Sequence, residues 1–433
     1  MKHTSLDHEA LAYHEAAPRG KVATCVTKPI ATPHDLSLAY SPGVAAPCRA
    51  IAEDPDALYR YTTKGNRVAV VSNGTAVLGL GRIGAAASKP VMEGKCMLLK
   101  ALAGIDAADL EIDEEDPDTL VRTIRSIATG FGAILLEDIK APDCFRIEEA
   151  LRAALPIPVL HDDQHATAVV VAAAVINAAK IVGKRIDSMQ VVVNGAGAAA
   201  IASAKMLLRM GVRSDRLVVC DSLGVITTER PLLHDYKRRF ATTRRISTLA
   251  QALEGADLFL GLSVGGALTV ADVRAMASSP IVLALANPEP ELAPEAAKNA
   301  RPDLVYATGR SDLPNQVNNA VGMPYLFRGA LDTRATAIDD GMLLAAAEAI
   351  AALAEQPVPN EVLRTYNLAA LRFGREYLLP KALDPRLPAA VATAVAQAAI
   401  RSGVARRTID DWDRYRAETA VCRNPRNKKE TAI

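Results

Sequence analysis

MQVVVNGAGAAAIASAKMLLRMGV, residues 189–212, is the stretch that decides the fold. Its apolar start predicts a buried strand, its glycines predict a tight turn, and the good helix formers after them predict a helix. Further strands that run into loops are predicted for RLVVCDSLGV (216–225), ADLFLGLS (256–263) and PIVLALANPEP (280–290). This alternation indicates a parallel sheet with helices on both faces, of the doubly wound Rossmann type.

The chain before this unit mixes short strands, loops and helices, and its length of 433 residues exceeds that of one ordinary domain. RVAVVSNGTAVLGLG (67–81) predicts two β runs joined by a hairpin-type turn at Asn73-Gly74. We therefore expect an α/β protein with an N-terminal α/β domain (1–157) and a Rossmann-type domain (158–433) that ends in Ala- and Leu-rich helices.

Composition and charge exclude several classes of protein. Fifty Lys and Arg against 49 Asp and Glu leave a net charge of +1, which provides no field for nucleic acid or an anionic membrane. Six cysteines without paired spacing support neither a disulfide framework nor a zinc cluster. The N-terminus has no apolar targeting segment, and the apolar run 166–182 contains Asn177 and Lys180, so it predicts a buried helix. We expect a cytoplasmic protein.

The pattern G-x-G-x-x-G/A occurs twice, as GLGRIG (79–84) and as GAGAAA (195–200), and each copy has an Asp about twenty residues later. After the first copy we expect Pro90 to end any helix. An uninterrupted helical run follows the second copy, and the N-terminus of such a helix attracts a pyrophosphate.

The second copy is therefore the predicted dinucleotide site, although a tight helix–sheet turn without a ligand has the same pattern. Asp221 ends the next strand, where a carboxylate accepts a hydrogen bond from a ribose hydroxyl. The predicted nucleotide-binding positions in this unit are Gly195, Ala196, Gly197, Ala198 and Asp221.

Two acid pairs each follow a short apolar strand. Glu137 and Asp138 come after AILL, and Asp162 and Asp163 come after IPVL. Brought together without a cation these carboxylates would repel one another, and oxygen ligands suit Mg²⁺ or Mn²⁺ better than zinc. The alternative is that each pair caps a helix or lies in a solvated turn.

Two further side chains are candidates for proton transfer. Lys95, predicted in the first turns of a helix, would act as a general base if carboxylates and a metal lay beside it. Tyr40 precedes a Ser-Pro-Gly turn, where its hydroxyl could donate a proton. The ordinary alternatives are an exposed lysine and a packed tyrosine.

Taken in order along the chain, these stretches resemble the malic enzymes of the short bacterial type. The matching motifs are LAYSPGVAAPC (38–48), VAVVSNGTAVLGLG (68–81), KPVMEGK (89–95), LLEDIKAPDCF (135–145), HDDQHATA (161–168), GAGAAA (195–200), LALANPEPE (283–291) and ATGRSDLPNQVNNA (307–320). The resemblance implies a decarboxylating NAD(P)-dependent malate dehydrogenase, with an N-terminal domain for substrate and metal and a dimeric or larger homo-oligomer.

The resemblance also implies roles for single residues. Lys95 matches the base that takes the proton from the C2 hydroxyl of malate as hydride leaves to the nicotinamide, and Asp162 matches its acidic neighbour. Tyr40 matches the acid that protonates C3 of enolpyruvate after CO₂ departs. The matching metal ligands for Mg²⁺ or Mn²⁺ are Glu137, Asp138 and Asp163, and the side chains that border the nicotinamide and the substrate carboxylates are Asn287 and either Asn318 or Asn319.

The sequence departs from the pattern at several positions. Arg82 and Ala166 stand where relatives usually have Asn and Gly, and Asn194 stands at a usual Ser position. Asp221 favours NAD because it repels a 2′-phosphate. NADP-using relatives can also keep this Asp, with a Lys where this chain has Leu223, so the missing cation favours NAD and leaves NADP possible.

Two other functions fit parts of the sequence. One is a metal-independent NAD-dependent dehydrogenase of a related small acid or amino acid, which would have no use for both acid pairs. The other is a nucleotide-sensing pseudoenzyme in which Arg82 and Ala166 have closed the site.

Overall fold

Two separate sheets organise the computed structural model, which describes residues 5–77 and 79–421. The first sheet has the order β2-β1-β3-β4, and all of its pairs are parallel. Its strands are β1 (Arg67–Ser72), β2 (Asp106–Glu111), β3 (Ala133–Leu136) and β4 (Val159–His161). β1 and β3 are buried apolar runs, as expected for parallel strands covered on both faces.

The second sheet has the order β10-β9-β8-β5-β6-β7, with only the β6–β7 pair antiparallel. Its strands are β5 (Val191–Asn194), β6 (Leu217–Asp221), β7 (Gly224–Val225), β8 (Leu258–Gly261), β9 (Ile281–Ala284) and β10 (Val305–Thr308). The chain leaves β5 for β6 on one side and returns to β8 on the other, which creates a crevice at the carboxyl ends of β5 and β8. The predicted doubly wound sheet is confirmed.

The described helices lie around both sheets and at the two ends of the chain. They are α1 (Ser5–Glu15), α2 (Pro33–Ala39), α3 (Ala45–Glu53), α4 (Leu58–Tyr61), α5 (Ala85–Ala103), α6 (Pro117–Ile127), α7 (Asp143–Ala154), α8 (Asp162–Val182), α9 (Ala198–Arg209), α10 (Asp235–Arg238), α11 (Leu249–Leu253), α12 (Val270–Ala275), α13 (Pro294–Ala300), α14 (Met323–Asp332), α15 (Asp340–Ala354), α16 (Asn360–Thr365), α17 (Leu387–Arg401) and α18 (Trp412–Val421).

One apolar core runs through both sheets, and α8 lies within it together with α9, α14, α15 and α17. A second, smaller core covers the other face of the second sheet and contains Val192, Val218 and Phe259. α8 is long and apolar enough to cross a membrane by composition, but 67% of its most apolar window is buried inside the protein. It is therefore a core helix, as the sequence predicts.

The predicted hairpin at Asn73-Gly74 is wrong. β1 ends at Ser72, and the second β run forms only an isolated bridge between Val77 and Gly81. Gly74 has a φ of +64°, and a Cβ on it would lie 2.1 Å from the carbonyl oxygen of Gly84. The backbone N–H of Gly84 donates to the Gly74 carbonyl, so the segment closes into a loop instead of a second strand.

The prediction that Pro90 ends the helix after GLGRIG is also wrong, because α5 begins at Ala85 and continues through Pro90 to Ala103. A proline removes one N–H and crowds one carbonyl, and a helix this deeply packed tolerates that loss. Lys95 consequently lies in the middle of α5 and not in its first turns.

The domain boundary between residues 157 and 158 stays a prediction. β4, at 159–161, pairs with β3 of the first sheet, so that sheet extends slightly past the proposed boundary.

Candidate active site

The carboxyl ends of the neighbouring strands β3 and β4 bring the two acid pairs to one edge of the first sheet, next to the middle of α5. Lys95 Nζ lies 2.6 Å from Asp162 Oδ2 and 3.1 Å from Glu137 Oε1. Asn319 also donates to Asp162 Oδ2, at 2.9 Å, and Thr167 Oγ1 donates to Asn319 Oδ1 at 3.3 Å. The structure therefore joins Lys95, Asp162 and Asn319 in one hydrogen-bonded group.

Burial and charge act against each other at Lys95. Burial disfavours the charged amine, but the negative charges of Asp162 and Glu137 outweigh it and hold the pKa of Lys95 above its usual value. Burial together with the nearby Asp162 and Asp163 raises the pKa of Glu137 well above its usual value, although Lys95 acts in the opposite direction. One buried cation is surrounded by more carboxylates than it neutralises.

Glu137, Asp138 and Asp163 each offer a carboxylate oxygen, and the three oxygens lie within 4.8 Å of one another. The backbone of Asp138 has a φ of 54°, and its N–H donates to Asp163 Oδ2 at 3.1 Å. Glu137 Oε2 is buried and makes no hydrogen bond within the described part of the chain. Clustered carboxylates with an unsatisfied buried oxygen fit a hard divalent cation such as Mg²⁺ or Mn²⁺.

A buried hydrogen-bond network lies behind this cluster, and sequence reasoning missed its central residue, Glu148 of α7. Glu148 accepts hydrogen bonds from the His161 backbone at 3.1 Å and from the side chains of Gln164 and His165, both at 2.9 Å. Burial raises the pKa of Glu148, but the charge and hydrogen bond of His165 outweigh burial and lower it overall. His165 thus supports the turn. No sequence signal marks Glu148, which is one buried carboxylate in the middle of α7.

GAGAAA forms the turn between β5 and α9, at the crevice between β5 and β8. A cavity of about 590 Å³ opens there and is lined by Asn194, Gly195, Ala196, Gly197, Asp221, Lys237 and Ser263, among others. Gly195 has a φ of +124°, and a Cβ on it would lie 2.3 Å from the Leu262 carbonyl oxygen, so only glycine fits. α9 begins at Ala198, directly after the turn residues that line this cavity, and the first N–H groups of a helix have no intrahelical partners.

Asp221 has two cationic partners at the rim of this cavity. Arg230 binds its carboxylate through two nitrogens at 2.9 and 3.1 Å, and Lys237 Nζ binds it at 2.7 Å. Burial raises the pKa of Asp221, but these hydrogen bonds outweigh it and lower the pKa to about 2. The sequence favoured NAD because Leu223 leaves no cation two positions after Asp221. Arg230 and Lys237 supply cations beside Asp221 from other positions, so that argument for NAD no longer holds.

The other predicted residues are placed less centrally. Asn287 donates to the Leu285 carbonyl at 3.1 Å, next to Gly309, and Asn318 caps a short helical turn by accepting from the Ala320 N–H. Of the two asparagines in QVNNA, only Asn319 contacts the Lys95 group.

Tyr40 lies outside the cluster. Its side chain is 71% exposed, and within residues 5–77 and 79–421 it makes no side-chain hydrogen bond or ion pair. Arg82 pairs with Glu115 at the surface, and Ala166 is fully buried within α8.

The comparisons with known proteins agree with this geometry. The family model for the malic enzyme N-terminal domain matches residues 19–152, and the model for the malic enzyme NAD-binding domain matches residues 164–368. The NADP-dependent malic enzyme of Halomonas elongata is 54% identical over 92% of this chain and 94% of that protein. The NAD-dependent malic enzyme of Rhizobium meliloti is 49% identical over 95% of this chain and 53% of that protein.

This chain spans only about half the length of several curated relatives, among them that NAD-dependent malic enzyme. Among solved structures, the malic enzyme of Pyrococcus horikoshii superposes with a TM-score of 0.90 at 39% identity, and the match covers 99% of this chain and 97% of that one. The chain belongs to the malic enzyme family.

Proposed function

We propose that this protein catalyses the oxidative decarboxylation of (S)-malate to pyruvate and CO₂, with reduction of NAD(P)⁺ and with Mg²⁺ or Mn²⁺ as cofactor. The observation that carries the proposal is the position of Lys95, 2.6 Å from Asp162 and 3.1 Å from Glu137, beside two further carboxylates. A metal-independent dehydrogenase would have no use for this cluster, which argues against that alternative.

Each group has a task in the proposed reaction. Glu137, Asp138 and Asp163 would hold the cation, which supplies polarisation of the substrate C2 oxygen and stabilisation of negative charge on it. Without a cation, the surrounding carboxylates keep the Lys95 amine protonated, and a cation held by Glu137, Asp138 and Asp163 would offset their charge and lower the pKa of Lys95. The neutral amine could then take the C2 hydroxyl proton as the C2 hydrogen leaves as hydride to the nicotinamide, and Asp162 fixes the Lys95 amine. The C3–C4 bond then breaks and CO₂ leaves.

Tyr40 returns a proton to C3 in this proposal, although within the described part of the single chain its exposed side chain makes no hydrogen bond with Lys95 or with the clustered carboxylates. Many apolar side chains of the N-terminal segment are exposed, among them Leu6, Leu11, Tyr13, Val26, Ile30, Leu36 and Leu38. Exposed apolar surface of this extent marks a protein interface. We propose a homodimer in which this segment packs on the second copy and Tyr40 enters the cleft of that copy.

Subunit complementation tests this arrangement. Co-expressed Lys95→Ala and Tyr40→Phe chains form mixed dimers with one intact and one doubly defective site if Tyr40 acts on the other copy. Activity should then recover to about a quarter of the wild-type value. If Tyr40 acts within its own chain, every site carries a defect and the mixture stays inactive.

We further propose NADP⁺ as the preferred cofactor and the cytoplasm as the location. Arg230 and Lys237 support NADP⁺, because both bind the carboxylate expected to contact the ribose, and Lys237 also lines the cavity. The balanced net charge of +1 supports a protein without nucleic-acid or membrane partners.

Initial rates with malate, measured with NADP⁺ and NAD⁺ and with Mn²⁺ or a chelator, test the function. We expect reduced nucleotide to form only with the metal and to form faster with NADP⁺. Robust rates in the chelator would favour the metal-independent dehydrogenase, and nucleotide binding without any absorbance change would favour the sensing pseudoenzyme.

A further inference from the structure

The turn between β4 and α8 is held by a buried carboxylate that is not part of the acidic cluster. Glu148 is 4% exposed, and it accepts hydrogen bonds from the backbone N–H of His161, from Gln164 Nε2 and from His165 Nε2. The distances are 3.1, 2.9 and 2.9 Å, so each of these contacts has the length of a direct hydrogen bond.

This arrangement replaces an ordinary helix cap. The first N–H groups of a helix lack intrahelical partners, and in a capping box the residue at the third helical position accepts from the N-cap N–H. His161 is the N-cap of α8 and its side chain makes no capping bond. Gln164 occupies the third position but donates to Glu148, which accepts the His161 N–H in its place.

Glu148 therefore supplies from α7 what the local sequence would otherwise supply, and Asp162 and Asp163 are left free of capping. Asp162 Oδ2 instead lies 2.6 Å from Lys95 Nζ. Asp163 Oδ2 accepts from the Asp138 N–H at 3.1 Å, at the edge of the carboxylate cluster.

We propose that Glu148 is a positioning residue that fixes the start of α8, and thereby sets both the metal ligand Asp163 and the lysine partner Asp162. The two aspartates are consecutive and belong to one helical turn, so a rotation of that turn displaces both carboxylates together. This inference depends on the proposed function, because it assumes that the carboxylate cluster binds a divalent cation.

Glu148→Gln tests the inference with little change in shape. The amide NH₂ replaces one acceptor oxygen and faces groups that themselves donate, so the turn loses its fixed orientation. We expect the Kd for Mn²⁺, measured on nucleotide-free enzyme by the EPR signal of free Mn²⁺, to rise about tenfold or more. The Kd for NADPH, measured by fluorescence, should stay unchanged, and saturating Mn²⁺ should restore most of kcat.

Glu149→Gln is the matched control. Glu149 is the next residue of α7, is exposed, and accepts a hydrogen bond from the Tyr236 hydroxyl at 2.9 Å. This variant also loses an acceptor oxygen and a negative charge, but we expect wild-type affinity for Mn²⁺.

The outcomes separate the two levels of the argument. If the wild-type protein does not bind Mn²⁺, the metal site of the proposed function fails. If the wild type binds Mn²⁺ and folded Glu148→Gln binds it equally well, only the positioning role is overturned. Should Glu148→Gln not fold, Gln164→Leu removes one donor and keeps the carboxylate. Weaker Mn²⁺ binding by that variant supports the proposal, and unchanged binding overturns it.

Discussion

Lys237 offers the sharpest test of cofactor choice, through the variant Lys237→Leu. Its amine lies 2.7 Å from Asp221 Oδ2 at the rim of the nucleotide cavity, and 25% of its side chain is exposed. The variant keeps most of the packing volume and removes the charge. A ribose 2′-phosphate at this rim would lose one of two cations, whereas the ribose hydroxyl of NAD⁺ would lose none of its direct partners.

The magnitude follows from the geometry. Two unit charges 4 Å apart interact by about 4 kcal/mol at the effective dielectric constant found near protein surfaces. Partial exposure lets water and salt screen this interaction, and hydrogen bonds to charged groups contribute about 1.5–3 kcal/mol. Since each 1.4 kcal/mol is about a factor of ten, kcat/KM for NADP⁺ should fall about 10- to 100-fold. The value for NAD⁺ should change little.

Steady-state rates with each nucleotide, at saturating malate and Mn²⁺, measure both values. Arg238→Leu is the matched control, because Arg238 is the next residue of α10 and its guanidinium donates to the Leu233 carbonyl, away from Asp221. An unchanged ratio of the two kcat/KM values in Lys237→Leu would refute the assignment of the 2′-phosphate to this rim.

Three further variants probe the metal site, the rim and the turn. Asp163→Asn removes one charged carboxylate of the proposed metal site, so the Kd for Mn²⁺ should rise more than about tenfold while that for NADPH is unchanged in parallel titrations. Asp221 has a pKa of about 2, below its unfolded value, so it stabilises the fold above about pH 4 and this contribution is lost as the pH falls towards 2. The urea midpoint of Asp221→Asn should therefore be lower than that of the wild type near pH 6. The two midpoints should converge near pH 2. A difference that stays constant with pH would contradict the lowered pKa of Asp221. Gly195→Ala would place a Cβ 2.3 Å from the Leu262 carbonyl oxygen at a φ of +124°. The nucleotide turn would have to shift, so NADPH affinity should drop at least about tenfold in fluorescence titrations. Wild-type affinity in this variant would contradict the close approach.

The parts of the site that the sequence predicts are those that depend on local order along the chain. AILL and IPVL end in acid pairs, and adjacent parallel strands deliver their carboxyl ends to one edge of a sheet. The grouping of Glu137 with Asp162 follows from that topology, whereas Lys95 reaches both from the middle of α5. That the two acid pairs lie close together was predictable once β3 and β4 were placed side by side.

Partners that come from loops and helix faces, and not from the ends of paired strands, were not predictable. Arg230 and Lys237 reach Asp221 from a loop and a short helix beyond β7, and no periodicity marks either of them as a rim residue. The role of Glu148 could not be predicted either, because one carboxylate among the apolar residues on the buried face of α7 indicates no particular partner. Its role as a hydrogen-bond acceptor becomes visible only in the structure, where α7 packs against the start of α8.

Topology also separates the two glycine fingerprints, for a reason different from the one the sequence suggests. Both copies precede a helix, since α5 runs through Pro90, so the presence of a helix does not discriminate between them. What differs is the strand before each turn. GAGAAA leaves β5 directly and lies at the crevice where the strand order reverses, which is the position where a pyrophosphate can meet both the turn and the helix N-terminus. GLGRIG is separated from β1 by a loop folded back on Gly74, and Gly84 closes that loop by donating its N–H to the Gly74 carbonyl.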